Sequence, residues 1–356
     1  MTKIVYGVSG EGSGHASRAR EIITHLLAKG HEVKVASYDR GYRSLHESFD
    51  VLEISGLSIV SRDNKVSTLR TLLENLKILP DGIKSLRKVR YELFRRFKPD
   101  CVITDFEPTT AYLASYYSLP LISLDNQHSM RYMHYTRPDN FSTDARLTET
   151  IIRAMVPNPD VSLITTFYTS DLKNNHSFLF PPILRESVIN LKPVDGKHIL
   201  VYATAGFDSL LKLLHSFKRE TFIVYGYNKE EIEGNLHFRE FSNTGFLHDL
   251  AASKAVIATA GFTLMTESLY LNKPYFALPM EGQFEQVLNA LMLEELGYGK
   301  ASFNVRMDEI AAFIYGIPDF KQNLGKYLHE GNHKITHFLD KLLANGEQKL
   351  RQYHNS

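Results

Sequence analysis

The sequence predicts an α/β protein made of two doubly wound, Rossmann-like domains facing each other across a cleft. Three observations carry this. Short apolar runs alternate with stretches of helical period, the alternation restarts after a proline-marked segment, and small-residue turns follow several of the apolar runs. Such alternation means βαβ units, hence parallel sheets covered by helices on both faces.

Taken in order, Lys3–Val8, His31–Ser37, Asp100–Thr104, Leu119–Leu124 and Val161–Thr165 are continuous apolar runs of strand length, suited to burial on both faces. Ser17–Lys29 and Pro108–Ser118 carry helix-like apolar spacing between them. Pro181, Pro182 and Pro193 bracket a segment unlike either half and read as a linker. The pattern then resumes with strands at His198–Ala203, Thr221–Gly226, Ala255–Ala260 and Pro274–Pro279, and helices at Phe207–Ser216 and Leu264–Leu271. This divides the chain into a domain at 1–180, a linker at 181–195, a domain at 196–318 and a polar helical tail at 319–356, free to pack back on the first domain.

Composition narrows the function. A formal charge of +1 gives no bulk attraction for nucleic acid, and the 43% apolar share supplies a sizeable core. The single cysteine, Cys101, lies in an apolar run and cannot form an internal disulfide, which fits a reducing compartment. The N-terminus enters a strand at once, leaving no room for a signal peptide, and no stretch approaches the roughly 18 apolar residues of a membrane span. These features predict a cytoplasmic protein, at most peripheral at the inner face of a membrane. The cationic segment Ile83–Lys98 bears on that second point. Its stripe of Leu86, Val89, Leu93 and Phe97 is of normal core width, so a surface helix packing on the sheet is favoured over a contact with anionic lipid.

Three segments carry chemistry. The first strand ends in Gly7-Val8-Ser9-Gly10-Glu11-Gly12-Ser13-Gly14-His15-Ala16-Ser17-Arg18. Glycines at a strand-to-helix junction let the backbone approach a ligand, and the helix start aims N–H groups at it. The spacing is not a dinucleotide fingerprint, because His15 stands where the third glycine belongs, although Asp39 lies near the place of an acidic ribose ligand. A histidine at such a junction, exposed to the cleft, suits a general base at neutral pH. Helix capping or domain packing is the plainer reading, and the glycine setting favours catalysis. Arg18, on the same helical face, could bind an anionic acceptor group or merely cap and solvate the first turn. The second segment, Ala203-Thr204-Ala205-Gly206 after a strand, is a weaker phosphate cradle of small residues. The third runs Gly261-Phe262-Thr263-Leu264-Met265-Thr266-Glu267, then Lys273-Pro274, then Glu285-Gln286-Val287-Leu288-Asn289-Ala290. A carboxylate in the first turn of a cleft-facing helix can accept from both ribose hydroxyls, and Glu285 and Gln286 offer groups to a hexose. Each also has a structural reading, Glu267 on the helix dipole and Glu285 at a helix start.

Together these residues resemble the MurG-type (family 28-type) branch of the GT-B glycosyltransferases. The N-terminal glycine loop ending in Gly-His is similar to Gly10–His15. The C-terminal signature is similar to Gly261–Glu267, Lys273-Pro274 and Gln286–Ala290. The likeness implies a UDP-sugar donor, a cell-envelope glycoconjugate as product class and an acceptor that is lipid-linked or a saccharide. It implies that Glu267 binds the donor ribose, that Glu285 and Gln286 face the transferred sugar, and that Ala205-Gly206 and Gly261-Phe262-Thr263 hold the pyrophosphate. Phe246-Leu247 matches the position where backbone groups read the base. His15 matches the histidine beside the acceptor, with Gly12, Gly14 and Arg18 in the acceptor-side loop. Asp105, at a strand end, is the candidate to steady that histidine, as an aspartate does in plant-type relatives, or else a loop cap. The second loop departs from the pattern, having fewer glycines than relatives.

The implied reaction is inverting transfer to a hydroxyl, with one base in the first domain and anion stabilisation in the second. No Asp-x-Asp sits at a strand end, so no metal and no cofactor is expected. Alternatives of the same fold are a nucleotide-sugar hydrolase or epimerase, since Gly14-His15-Ala16-Ser17-Arg18 also resembles their Gly-His-x-x-Arg loop. A non-catalytic sensor of nucleotide sugars is the alternative of a different class.

Overall fold

A computed structural model describes residues 1–56, 61–62, 65–66, 79–203, 207–327 and 329–344. By internal contacts the chain forms two units. Unit 1 comprises Met1–Val60, Ser67–Arg185 and Glu330–Ser356, and unit 2 comprises Ser61–Val66 and Glu186–His329.

Unit 1 is built on seven strands: β1 (Lys3–Val8), β2 (Glu32–Ser37), β3 (Val51–Glu53), β6 (Cys101–Asp105), β7 (Leu121–Asp125), β8 (Val161–Thr165) and β9 (Ser177–Phe180), with a short pair β4 (Ser61–Arg62) and β5 (Lys65–Val66) assigned to unit 2. The order is β3-β2-β1-β6-β7-β8-β9, and every ladder is parallel. The apolar runs are buried on both faces because successive side chains point to opposite sides. Ile4, Tyr6 and Val8 join one core with Ile22, Ile23 and Leu26 of helix α1 (Ser13–Ala28), while Val5 joins the other with Ala111 and Ala114. The first of these cores sits under the glycine loop.

Other helices of unit 1 among the described residues are α2 (Asp39–Leu45), α3 (Leu79–Val89), α4 (Pro108–Tyr116), α5 (His128–Tyr132) and α6 (Ser142–Met155), the last preceded by a 3-10 turn at Asp139–Phe141. Helix α3 continues as a π-helical turn, Arg90–Arg96. Its Val89, Leu93 and Phe97 pack into the second core, while Leu86 is 44% exposed and Lys84, Arg87, Lys88, Arg95 and Arg96 face outward. That is the arrangement of a surface helix solvating its charges.

Unit 2 has β10 (His198–Tyr202), β11 (Thr221–Tyr225), β12 (Glu231–Glu233), β13 (Leu236–Phe238), β14 (Ala255–Thr259), β15 (Tyr275–Leu278) and β16 (Gly299–Ala301), in the order β12-β13-β11-β10-β14-β15-β16. In this sheet the β12–β13 ladder is antiparallel and the other ladders are parallel, and the separate β4–β5 pair is antiparallel as well. Its helices are α7 (Glu186–Ile189), α8 (Asp208–Leu214), α9 (Asn243–Ala251), α10 (Phe262–Tyr270), α11 (Phe284–Glu295) and α12 (Met307–Leu324).

The expected boundary at 318/319 falls inside α12. Ile310, Phe313 and Ile317 pack into the unit 2 core and Leu324 is fully buried, so the apolar face carries the helix past Pro318. The tail proper is α13 (His333–Ala344), a part of unit 1. Ile335, Leu339, Leu342 and Leu343 join the α1 core, and His25 Nε2 lies 2.8 Å from Asp340 Oδ1. Asn332 and Leu184 exchange hydrogen bonds at 2.8 and 2.9 Å, pinning the returning chain.

Candidate active site

At the carboxyl end of the unit 1 sheet, three strand ends meet. Ser9 N–H, just past β1, donates to the Asp105 carbonyl at 3.0 Å, tying the glycine loop to the end of β6. Gly10 lies so close to β2 that a Cβ would sit 2.2 Å from the Tyr38 carbonyl. Gly12 precedes α1 with φ +78°, a conformation that favours glycine. The helix then starts at Ser13, four residues earlier than expected. Gly14 is absorbed into its first turn, and His15 is the third helical residue, not part of a loop.

His15 is also not open to solvent, being 9% exposed. Its Nδ1 lies 2.7 Å from Asp105 Oδ1, and Asp105 is fully buried. Arg18, one turn further along α1, neither caps nor solvates the helix start. It is 5% exposed and places Nε 2.7 Å and Nη2 2.6 Å from the two Asp105 oxygens, with Nη1 2.7 Å from Asn126 Oδ1. Arg18 Nη2 is 3.0 Å from His15 Nδ1. Burial alone would push the Asp105 carboxyl up, but the Arg18 guanidinium and then the His15 imidazole hold it below the usual carboxylate range. Arg18 stays charged, because Asp105 outweighs its desolvation. With Nδ1 engaged by Asp105, Nε2 is the His15 nitrogen suited to a substrate proton. Asp39 has no part in this site: it is exposed and pairs with Arg43.

On the far face of β1, Glu107 caps α4. Its carboxylate accepts from Thr109 N–H, Thr110 N–H and the Thr110 hydroxyl at 2.6–2.7 Å. Burial, outweighing those bonds, pushes its carboxyl up.

In unit 2 the motif residues are placed differently. Ala205 and Gly206 lie outside the described residues. Gly261 precedes α10, and Phe262 and Thr263 form its first turn. Gly261 has an ordinary φ of −67°, and a Cβ there would meet nothing within 4 Å. Glu267 is the sixth residue of α10, in its second turn, and only 2% exposed. Glu285 is half-buried near the start of α11. Gln286 is spent on its own loop: its Oε1 accepts from Met280 N–H at 3.1 Å and its Nε2 donates to Gln283 Oε1 at 2.5 Å. Asn289 Nδ2 donates to the Ala260 carbonyl at 3.1 Å, so the Gln-x-x-Asn pair staples two strand-end loops. Phe246 and Leu247 are buried in α9, and Phe246 N–H donates to the Ser242 carbonyl at 2.7 Å, so that group is not spare for a base. The Phe246 ring packs against Tyr202, Tyr225 and the exposed Phe241.

The family model described as Glycosyl transferase family 1 matches residues 2–318. The chain belongs to that family. Among similar proteins, a glycosyltransferase of Methanosarcina mazei described as uncharacterized is 27% identical over 336 residues, covering 84% of this chain and 85% of that protein. Another from Methanosarcina acetivorans is 26% identical over 328 residues, with the same coverage. Among solved structures, the glycotransferase of kitacinnamycin superposes with a TM-score of 0.68 at 14% identity, covering 96% of this chain and 98% of its own. The glycosyltransferase SsfS6 of Streptomyces sp. SF2575, complexed with thymidine diphosphate, gives 0.63 at 15% identity, covering 96% and 100%. The fold of this family 1 glycosyltransferase is therefore GT-B, α/β with two mainly parallel sheets. Among the described residues no helix is long and apolar enough to cross a membrane.

In this glycosyltransferase the sequence motifs fall into two groups. His15, Arg18 and Asp105 come together in unit 1, while Gly261, Thr263 and Glu267 belong to α10 and its cap and Glu285 and Gln286 to the start of α11 in unit 2. Sequence reasoning missed Asn126 and His128, for which only the end of an apolar run was a signal. It also missed the burial of Lys273. That side chain is 1% exposed and donates from Nζ to the Val194 carbonyl at 2.8 Å. Burial, with help from Lys321, pulls its ammonium down to about 8.

Proposed function

We propose that the protein transfers a sugar from UDP to a hydroxyl acceptor, with inversion and without a divalent ion. His15 acts as base and Asp105 steadies it. The observation that carries the proposal is the 2.7 Å approach of His15 Nδ1 to the buried Asp105 carboxylate, which holds the ring as an acceptor at Nε2. In the proposed step Nε2 takes the acceptor hydroxyl proton as that oxygen bonds to the anomeric carbon. The bond from that carbon to the diphosphate breaks, and its electron pair leaves with UDP.

Unit 2 holds the donor in this reading. Gly261 caps α10, and among the described residues nothing lies within 4 Å of where its Cβ would be, which leaves its backbone open to an approaching diphosphate. Glu267 is assigned to the ribose and Glu285 to the sugar, in keeping with the resemblance to the MurG-type branch. Gln286 is assigned to shaping the loop that presents Glu285. A nucleotide diphosphate on the same fold in SsfS6 supports the donor class.

A thermal-shift panel of UDP-sugars, TDP-sugars and nicotinamide cofactors tests the donor. A ligand at 100 times its Kd should add about 2.7 kcal/mol of apparent stability. UDP-sugars should stabilise the protein most and turn over in the presence of EDTA. A response confined to nicotinamide cofactors sinks the proposal, and release of free sugar without any acceptor converts it to hydrolysis.

A further inference from the structure

Beside the His15–Asp105 pair, the same end of the unit 1 sheet holds a second histidine–aspartate pair. Strand β7 ends in the buried Asp125, whose carboxylate accepts from His128 N–H at 2.8 Å and from His128 Nδ1 at 2.7 Å. His128 is fully buried and stacks on Tyr132, and its Nε2 has no hydrogen-bond partner among the described residues. A buried imidazole placed in this way costs less neutral than charged, since protonation would strand a second N–H. The Asp125 carboxylate has both of these His128 nitrogens as partners.

Asn126, next to Asp125 in the chain, accepts from Arg18 at Oδ1, and the Asp125 charge is among those that favour the charged Arg18. Two carboxylates and one guanidinium leave one net negative charge when both imidazoles are neutral. Arg18 works against His15 here: Nη2 lies 3.0 Å from the imidazole, and its cation cancels the Asp105 charge that would support an imidazolium.

We infer that Asp125 is a positioning residue for the base: held in place by His128, its carboxylate balances Arg18 and so frees the Asp105 charge to stabilise His15 once the acceptor proton has arrived. The cluster then passes from one net negative charge to none. Other ionisable groups around it include Tyr6 on β1, Tyr132 on α5 with Arg131 over its ring and Arg153 also acting on it, and His176, which meets the Tyr132 ring edge-on. Burial pushes both tyrosine hydroxyls up, so they stay neutral through the working range. Glu107 belongs to the opposite face of β1, beside Gly7.

This inference rests on His15 being the base, and its test separates the two ideas. Imidazole 15N resonances of the full chain are followed between pH 5 and 9 in wild type, Asp125→Asn, Arg18→Met and the double variant. Removing an anion disfavours the imidazolium. Asp125→Asn should therefore lower the His15 titration midpoint by roughly half to one pH unit, Arg18→Met should raise it, and the double variant should lie between. Wild-type His128 should stay neutral and protonated on Nδ1 throughout, a measurement that needs no variant to fold. A His15 midpoint indifferent to Asp125→Asn, or a doubly protonated His128, overturns the inference. Should the midpoints move while the acid limb of UDP-sugar turnover does not follow, the charge balance stands and the base assignment falls.

Discussion

The strand ends of the two units are built from opposite materials. In unit 1 they carry a buried ionic network, His15, Asp105 and Arg18, extended through Asn126 to Asp125 and His128. In unit 2 they carry amide staples, with Gln286 and Asn289 holding backbone groups in place. Charge that must respond to a moving proton is worth burying, because low dielectric strengthens it and fixes its geometry. Holding a diphosphate asks instead for backbone N–H groups on well-supported turns. The contrast matches the proposed function, which puts proton chemistry in unit 1 and donor binding in unit 2.

The largest effect expected to break this contrast comes from His15→Ala, which should lower kcat by about 10²–10⁴ while leaving nucleotide affinity unchanged in a binding titration. A loss confined to affinity would place His15 with the binding groups. Asp105→Asn should come next. It takes away the carboxylate that Arg18 contacts directly in the interior, costing about 3–5 kcal/mol in denaturant unfolding, with a fall in kcat as well. Because the Asp105 carboxyl is held below its ordinary range, the wild-type advantage should be intact above that range and vanish as pH falls through the lowered value.

Within unit 2, Lys273 is a buried cation, pulled toward its neutral form by burial and by Lys321. Its folded value near 8 lies below the ordinary 10.5, so between these pH values the unfolded chain binds more protons than the folded one. Wild-type stability measured relative to Lys273→Met should therefore rise with pH across that window, by on the order of 2 kcal/mol. A flat difference would mean that the ammonium is not desolvated. The smallest effect is expected of Glu267→Gln, which should weaken UDP-sugar binding about tenfold, roughly 1.4 kcal/mol, with kcat nearly constant. A fall in kcat alone would move Glu267 from binding to chemistry.

Much of this architecture was legible beforehand. The apolar runs of β1, β2, β6, β7, β8, β10, β11, β14 and β15 read as strands because burial on both faces leaves a continuous signature. The three-residue strands β3, β12, β13 and β16 were not read, since so few residues carry no period. The start of α1 was placed too late because Gly14 was taken as loop, although only Gly12 needs a positive φ. Asp105 could be named from its place at a strand end. The fate of Arg18 could not be read, since a residue near a helix start is ordinarily solvated.

By itself, then, the sequence determined nine of the strands, about half of the helices, the two-part organisation and the motif that marks a glycosyltransferase, all of which follow from local spacing of apolar and small residues. The tertiary structure alone decided which charges meet. His15 and Asp105 are 90 residues apart, and Arg18 and Asn126 are 108 apart. They touch because the order β2-β1-β6-β7 sets the ends of β6 and β7 next in line to that of β1, which leads into α1. Strand order is a property of the whole packed sheet, and burial there turns an arginine that would otherwise be hydrated into the counter-ion of the proposed base's partner.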